Sequence, residues 1–374
     1  MRILAIASST GLSHIVRTLE LARHMRRSGH DVFVGYGVGE WRKLAHSYGF
    51  AAEPLYEPEL GPPFTMGIGS PTIRGLRLSY RSELALIEKI RPNLVIADWR
   101  FTAWASASAK GIPAVHLWNA NWGMFAGHPE VVRHDLSPSY RKVLEAWKAA
   151  LDAFRSEVDY TVGRKEEPHI FRGQLNLIPD DPLFRSVDSS CDRGDLRWIG
   201  PLVPVPTEWS DGRKAATPKL LGIAFGGHHL EQLHSMVERA GARSGFQPVD
   251  LRSDSHRPSS GAGRVVQFSF FPLNLLECEL VVSHGGAGSI YQSIMACKPV
   301  LALPQHLEQY DNGIQLERLG IGLCLHPKRQ TEEEIQRAIL ELSFLPMENL
   351  RSMATRLRQQ RPTECAQQLL ERWI

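Results

Sequence analysis

The stretch Gly200-Pro201-Leu202-Val203-Pro204-Val205-Pro206 constrains this chain most, because it can be neither a helix nor a central strand. Each proline lacks a backbone donor and fixes its own φ. The stretch reads as a linker, and the chain on either side of it repeats one pattern. Before it, residues 2–7 form an apolar, buried-strand run. Residues 11–28 then place Ile15, Leu19, Ala22 and Met25 on one helical face, Gly29 ends the helix, and residues 31–34 restart as a strand. Strand, turn, helix and strand make one βαβ unit. Residues 94–97 are a further strand ending at Asp98, followed by a short helix at 103–110 and a strand at 112–117. Ser137-Pro138 starts a helix with Leu144, Trp147, Leu151, Phe154 and Val158 on one stripe. After the linker, residues 220–225 are apolar and Gly226-Gly227 follows. Residues 281–283 run into His284-Gly285-Gly286-Ala287-Gly288, and residues 299–303 form a strand leading to Pro304. Thr331 and Glu334 form a capping box, and residues 348–374 are helical in character.

A chain of 374 residues is too long for one ordinary core. The expected organisation is α/β: a domain over 1–200, a linker over 201–217, a second domain over 218–350, and a helical segment over 351–374 packing back towards the first domain. A net charge of +3 is too small for a dedicated nucleic-acid binder. The five cysteines, Cys191, Cys278, Cys297, Cys324 and Cys365, are dispersed without zinc spacing, which suits a reducing compartment. The first apolar run is too short for a signal-peptide core, and no run approaches the ~18 residues needed to span a bilayer. The expectation is a soluble cytoplasmic protein.

The turn at residues 284–288 carries the chemistry. Its glycines let backbone come close to a ligand. The helix that follows offers free N–H groups and a positive dipole end, which suit a phosphate. His284 adds a donor. A glycine-rich turn that binds nothing is the bland alternative. Further along come Ser289, Pro299, Pro304, Glu308, Gln309 and Asn312. This ordered set resembles the nucleotide-sugar signature of family-one glycosyltransferases, which include plant, macrolide and glycopeptide enzymes. The resemblance implies a GT-B fold: two Rossmann-like domains facing each other across a cleft, acceptor in the first and donor in the second. It implies that His284 and the backbone of Gly286, Ala287, Gly288 and Ser289 hold the diphosphate, with Gly226 and Gly227 in the neighbouring phosphate-facing turn. It implies that Glu308 and Gln309 bind the donor sugar. Two departures stand out. Gln292 replaces the acid that usually grips the ribose hydroxyls, and Cys297-Lys298 replaces small residues before Pro299. Upstream, Phe270-Phe271-Pro272 resembles the family's aromatic turn, whose ring stacks on the nucleobase; core aromatics are the alternative.

In the first half, Gly11-Leu12-Ser13-His14 follows the first strand. Glycosyl transfer needs a base for the acceptor hydroxyl, and histidine suits that near neutral pH. Asp98, ending a strand at the same sheet edge, is the candidate to orient the ring. A capping or surface histidine is the plain alternative. The resemblance extends over Gly11 to Val34, including Gly29-His30-Asp31-Val32, and implies His14 as base and Asp98 as its partner. The proline usual shortly after the histidine is absent, with Val16 and Arg17 in that stretch. Trp118, Asn119, Asn121 and Trp122 are weaker candidates for an acceptor pocket, against the reading of a loop with partly buried tryptophans. His228 and His229 follow the second-half turn. The basic run Arg74, Arg77, Arg81, Lys89 and Arg91 reads as a solvated face, with weak membrane-surface contact as the sharper alternative.

The resulting expectation is an inverting, metal-independent hexosyltransferase. It would move sugar from a UDP- or dTDP-linked donor to a hydroxyl of a small-molecule or lipid acceptor. It would use no cofactor and no metal, since no Asp-x-Asp stands at a strand end. A nucleotide-sugar epimerase of the same fold and a non-catalytic nucleotide-sugar-binding protein are the alternatives.

Overall fold

The computed structural model describes residues 1–9, 11–37, 41–57, 71–120, 138–158, 174–185, 196–206, 218–225, 230–251 and 273–373. The chain divides into two units: Met1–Leu202 with Arg361–Ile374, and Val203–Gln360.

The first unit is built on seven parallel strands: β1 Arg2–Ala7, β2 Asp31–Tyr36, β3 Ala52–Pro54, β4 Leu94–Asp98, β5 Ala114–Leu117, β6 Leu175–Ile178 and β7 Leu196–Trp198. Their order is β3-β2-β1-β4-β5-β6-β7. The central strands β1 and β4 are buried almost throughout, as continuous apolar runs in a parallel sheet should be. Their register pairs Ala7 with Asp98. Strand order reverses between these two, so their carboxyl ends flank a crevice of the kind where open α/β sheets bind ligands.

Helix Leu12–Arg27 covers β1 with Ile15, Leu19, Ala22 and Met25, the stripe that the sequence pattern predicts, all buried. Complete burial of such a side chain is worth about 1.5–3 kcal/mol. Helix Ile73–Ile90 packs Leu86, Ile87 and Ile90 against Leu4, Ile6, Val95 and Ala97. Helix Pro138–Glu157 starts on its proline and adds Trp147, Leu151 and Phe154 to an aromatic cluster with Trp99, Phe101 and Trp118. The stretch at 348–374 is two helices. Glu348–Gln359 lies in the second unit, and Pro362–Trp373 lies in the first. There Gln367 Oε1 accepts from Ser28 Oγ at 2.9 Å and from His24 Nε2 at 2.7 Å, tying the last helix to helix Leu12–Arg27.

The second unit has five parallel strands: β8 Leu220–Ala224, β9 Gln247–Asp250, β10 Cys278–Ser283, β11 Val300–Ala302 and β12 Gly322–Cys324, in the order β12-β11-β10-β8-β9. Here the reversal falls between β8 and β10, whose ends pair Ser283 with Ala224. Helix Glu332–Ser343 starts at Thr331, whose Oγ1 accepts from the Glu334 N–H, as the capping box requires.

Among the described residues no helix is long and apolar enough to cross a membrane. Of the basic run, Arg77 pairs with Glu157 and Lys89 with Glu53.

Candidate active site

Each unit presents its chemistry at its own strand-order reversal. In the first, Gly11 caps helix Leu12–Arg27 in an extended conformation. A Cβ at Gly11 would stand 3.1 Å from His14 Cδ2, so the missing side chain makes room for the imidazole. His14 sits on the first helical turn and directs Nδ1 at Asp98 Oδ1, 2.8 Å away. With the proton on Nδ1, the ring donates to the carboxylate and turns its Nε2 lone pair away from it. Asp98 is completely buried. Burial alone would push its carboxyl up. The charge and hydrogen bonds of Arg17, with those of His14, hold it below the usual carboxylate range instead. The His14 ring also stacks on Trp99, centroids 5.4 Å apart and planes 10° apart. Trp99 holds this position at φ 55°, a conformation that bulky side chains rarely adopt.

Arg17 is the residue that sequence reasoning passed over. It lies one turn after His14 on the same helix face and is nearly buried. Its Nε donates to Asp98 Oδ2, its Nη2 donates to Asp98 Oδ1 at 2.7 Å, and its Nη1 donates to Asn119 Oδ1. Asn119 is therefore buried and turned into this cluster. Trp118 is a core residue too: its indole N–H donates to Asn176 Oδ1 at 2.9 Å. Asn121 and Trp122 lie outside the described residues. Neighbouring His116 is completely buried, which pushes its imidazole down to about 3, so it is neutral.

In the second unit, β10 ends at Ser283 and the turn 284–286 leads into helix Ala287–Met295. Gly285 has φ 88°, and a Cβ there would stand 2.7 Å from the Gln309 carbonyl oxygen. Asn312 Nδ2 donates to the Gly285 carbonyl at 2.8 Å, locking the turn onto helix Leu307–Arg318. Gly286 caps helix Ala287–Met295 with no side-chain hydrogen bond. The amides of Ala287, Gly288 and Ser289 thus belong to the first turn, where no intrahelical acceptor exists. A Cβ at Gly288 would meet nothing within 4 Å, so this turn is open. His284 Nδ1 lies 3.3 Å from the Ala224 carbonyl.

Gln309 is nearly buried, and its Oε1 accepts from the Gln305 N–H at 2.8 Å. Glu308 is on the same first turn. Gln292 Nε2 donates to the Pro204 carbonyl at 3.2 Å. Gly226, Gly227, His228, His229, Phe270 and Phe271 lie outside the described residues. Among the described residues, no cluster of three or more His, Cys, Asp or Glu side chains could hold a metal ion.

Cys297 stands where the resemblance expects glycine, and the reason glycine belongs there is visible. Lys298 N–H bonds to Ser293 O and Cys297 N–H to Ile294 O, a Schellman ending whose C′ residue takes φ 57°. Cys297→Gly is expected to relieve that strain and raise stability by about 1 kcal/mol, or ~2–4 °C in Tm. A lower Tm in a thermal melt would show that the thiol contributes more than its backbone costs.

The comparisons with known proteins agree with this geometry. The model of the glycosyltransferase family 28 C-terminal domain matches residues 239–369. A PGL/p-HBAD biosynthesis rhamnosyltransferase of Mycobacterium bovis is 23% identical, over 91% of this chain and 80% of its own. The kitacinnamycin glycotransferase superposes with a TM-score of 0.69 at 18% identity, covering 99% of this chain and 98% of its own. Spinosyn rhamnosyltransferase complexed with thymidine diphosphate gives 0.68 at 17% identity, covering 99% and 100%. The chain is a glycosyltransferase, and its fold is GT-B. In this glycosyltransferase, the signature residues Gly285, Gly286, Gly288, Ser289, Glu308, Gln309 and Asn312 converge on one pair of adjoining helix starts. Two further groups around His14 lie close in sequence to the predicted pair. Arg17 lies three residues on along a helix already drawn, and Trp99 directly follows Asp98.

Proposed function

We propose that this glycosyltransferase is an inverting enzyme that moves a hexose from a UDP- or dTDP-linked donor to a hydroxyl of a small-molecule or lipid acceptor. The observation that carries the reading is the 2.8 Å contact of His14 Nδ1 with the buried Asp98 carboxylate, at the carboxyl ends of adjacent central strands. That contact fixes the tautomer that leaves Nε2 basic. His14 Nε2 takes the acceptor hydroxyl proton as the acceptor oxygen bonds to the anomeric carbon. The bond from that carbon to the β-phosphate oxygen breaks, and its electron pair leaves with the nucleoside diphosphate. One displacement inverts the anomeric configuration. The leaving charge is met by the N–H groups of Ala287, Gly288 and Ser289 and by His284, preorganised donors of the kind that stabilise developing anions. Glu308 and Gln309 take the sugar hydroxyls, and Gln292 is the candidate for the ribose. The thymidine diphosphate in the spinosyn enzyme and the rhamnosyl donor named for two relatives favour a dTDP-linked deoxyhexose.

The test is transfer from UDP- and dTDP-hexoses to a panel of phenols, alcohols and glycolipids, with the product anomer assigned by NMR. The expected product has the configuration opposite to the donor. Retention would refute the single displacement. Turnover is also expected to survive excess EDTA, because backbone amides rather than an ion receive the diphosphate. A loss in EDTA that magnesium or manganese restores would overturn that part of the reading.

A further inference from the structure

We infer that Arg17 is a positioning residue of the catalytic base: it holds Asp98 ionised and in plane, so that the carboxylate presents one oxygen to His14. The inference rests on the reading of His14 as base. Asp98 is buried beyond water, and a carboxylate in that setting with only a neutral imidazole as partner is poorly compensated. Its ionised form needs a second charged donor. Arg17 provides one in the fork geometry that matches a carboxylate, Nε to Oδ2 and Nη2 to Oδ1. Its third arm, Nη1, reaches Asn119 Oδ1 just past β5. The guanidinium thereby ties helix Leu12–Arg27 to the ends of β4 and β5, the elements that set the His14–Asp98 geometry. Arg17 Nη2 also lies 2.9 Å from His14 Nδ1. A carboxylate oxygen only accepts, so the 2.8 Å contact to Oδ1 puts the proton on Nδ1, and Arg17 Nη2 donates to the same oxygen beside it.

The charges around His14 are named by its neighbours. Arg17 shares its helix, and Asp98 comes from β4. Tyr36 of β2 is buried and neutral, its hydroxyl pushed up by burial and by Asp98. At rest Arg17 and Asp98 cancel, and the proton taken from the acceptor gives the cluster a net positive charge. Arg17 thus occupies the stretch where the resemblance expects a proline. A proline could supply neither the charge nor the fork.

The experiment measures kcat, donor KM and Tm for Arg17→Met, Arg17→Lys, Arg17→Ala and the double variant Arg17→Met/Asp98→Asn, beside His14→Ala. Arg17→Met should lower kcat on the order of 10- to 100-fold with donor KM unchanged. Arg17→Lys, which keeps the charge and loses the fork, should fall between. Guanidinium at non-denaturing concentration should raise the turnover of Arg17→Ala, which leaves a space for it, and not that of Arg17→Met. Because Arg17 acts through Asp98, the double variant should be no slower than Arg17→Met. It also removes both buried charges, so it serves as the folded reference if a single variant is unstable. Wild-type kcat in Arg17→Met, alongside an inactive His14→Ala, would overturn the inference and leave the base assignment standing. So would a loss that follows Tm and that neither lysine nor guanidinium restores. An active His14→Ala would instead remove the base, and Arg17's role with it.

Discussion

His14→Ala is expected to lower transfer by about 10²- to 10⁴-fold, the usual contribution of a positioned general base, while donor binding persists. The imidazole stands at the end of the first sheet, held by Asp98, Arg17 and Trp99 of its own unit. Its loss should therefore appear in kcat and not in nucleotide affinity. Asp98→Asn should give a smaller loss. The amide can still meet the ring but cannot accept through both oxygens from Arg17, nor stabilise the imidazolium as it forms. The double variant should be barely worse than His14→Ala, since groups that work as a unit do not add. Steady-state turnover and calorimetry with the nucleoside diphosphate decide the matter. Near-wild-type turnover in His14→Ala would end the base assignment. Donor hydrolysis without acceptor is the control, because water can replace the acceptor slowly.

The second large effect concerns two glycines three residues apart, which should respond in opposite ways. Gly285→Ala forces a Cβ against the Gln309 backbone at a φ that alanine resists. It should cost about 2–4 kcal/mol of stability in a denaturant titration and abolish donor binding with it, because the turn and helix Leu307–Arg318 share that contact. Gly288→Ala meets nothing in the protein and sits inside a helix, so its Tm should hold or rise. Its methyl nevertheless occupies the open face that a diphosphate would approach, and donor affinity should drop ~10-fold, about 1.4 kcal/mol. Unchanged affinity in Gly288→Ala would move the diphosphate away from this turn. The contrast separates a glycine kept for the fold from one kept for the ligand.

Long periodic elements were legible in the sequence because one constraint dominates each. Strands β1 and β4 are buried on both faces, so their apolar runs are unbroken, and helix Leu12–Arg27 shows its single buried stripe. The short strands β3, β7 and β12 have three residues each, too few to show a period, and Pro54 ends the first of them. The edge strand β9 contains Pro248 and is only half buried, which hides it further. In the site, His14, Asp98 and the turn at 284–289 were readable because they fall at strand ends, where topology gathers them. Arg17 was not, since a basic residue on a helix ordinarily reads as solvated. Its burial follows from an acid 81 residues away that no local pattern announces. Asn119 was legible as a polar group past a strand, but its direction, inward to Arg17, depends on that same distant encounter.

The return of helix Pro362–Trp373 to the first unit has a consequence for synthesis. This helix packs on helix Leu12–Arg27, which carries both His14 and Arg17, and it is made only after the whole of the second unit. On the ribosome, helix Leu12–Arg27 must therefore wait, with one flank uncovered, while the second unit is translated and can already fold. The order of completion is thus the reverse of the order of numbering: the second unit is whole before the first has its last helix.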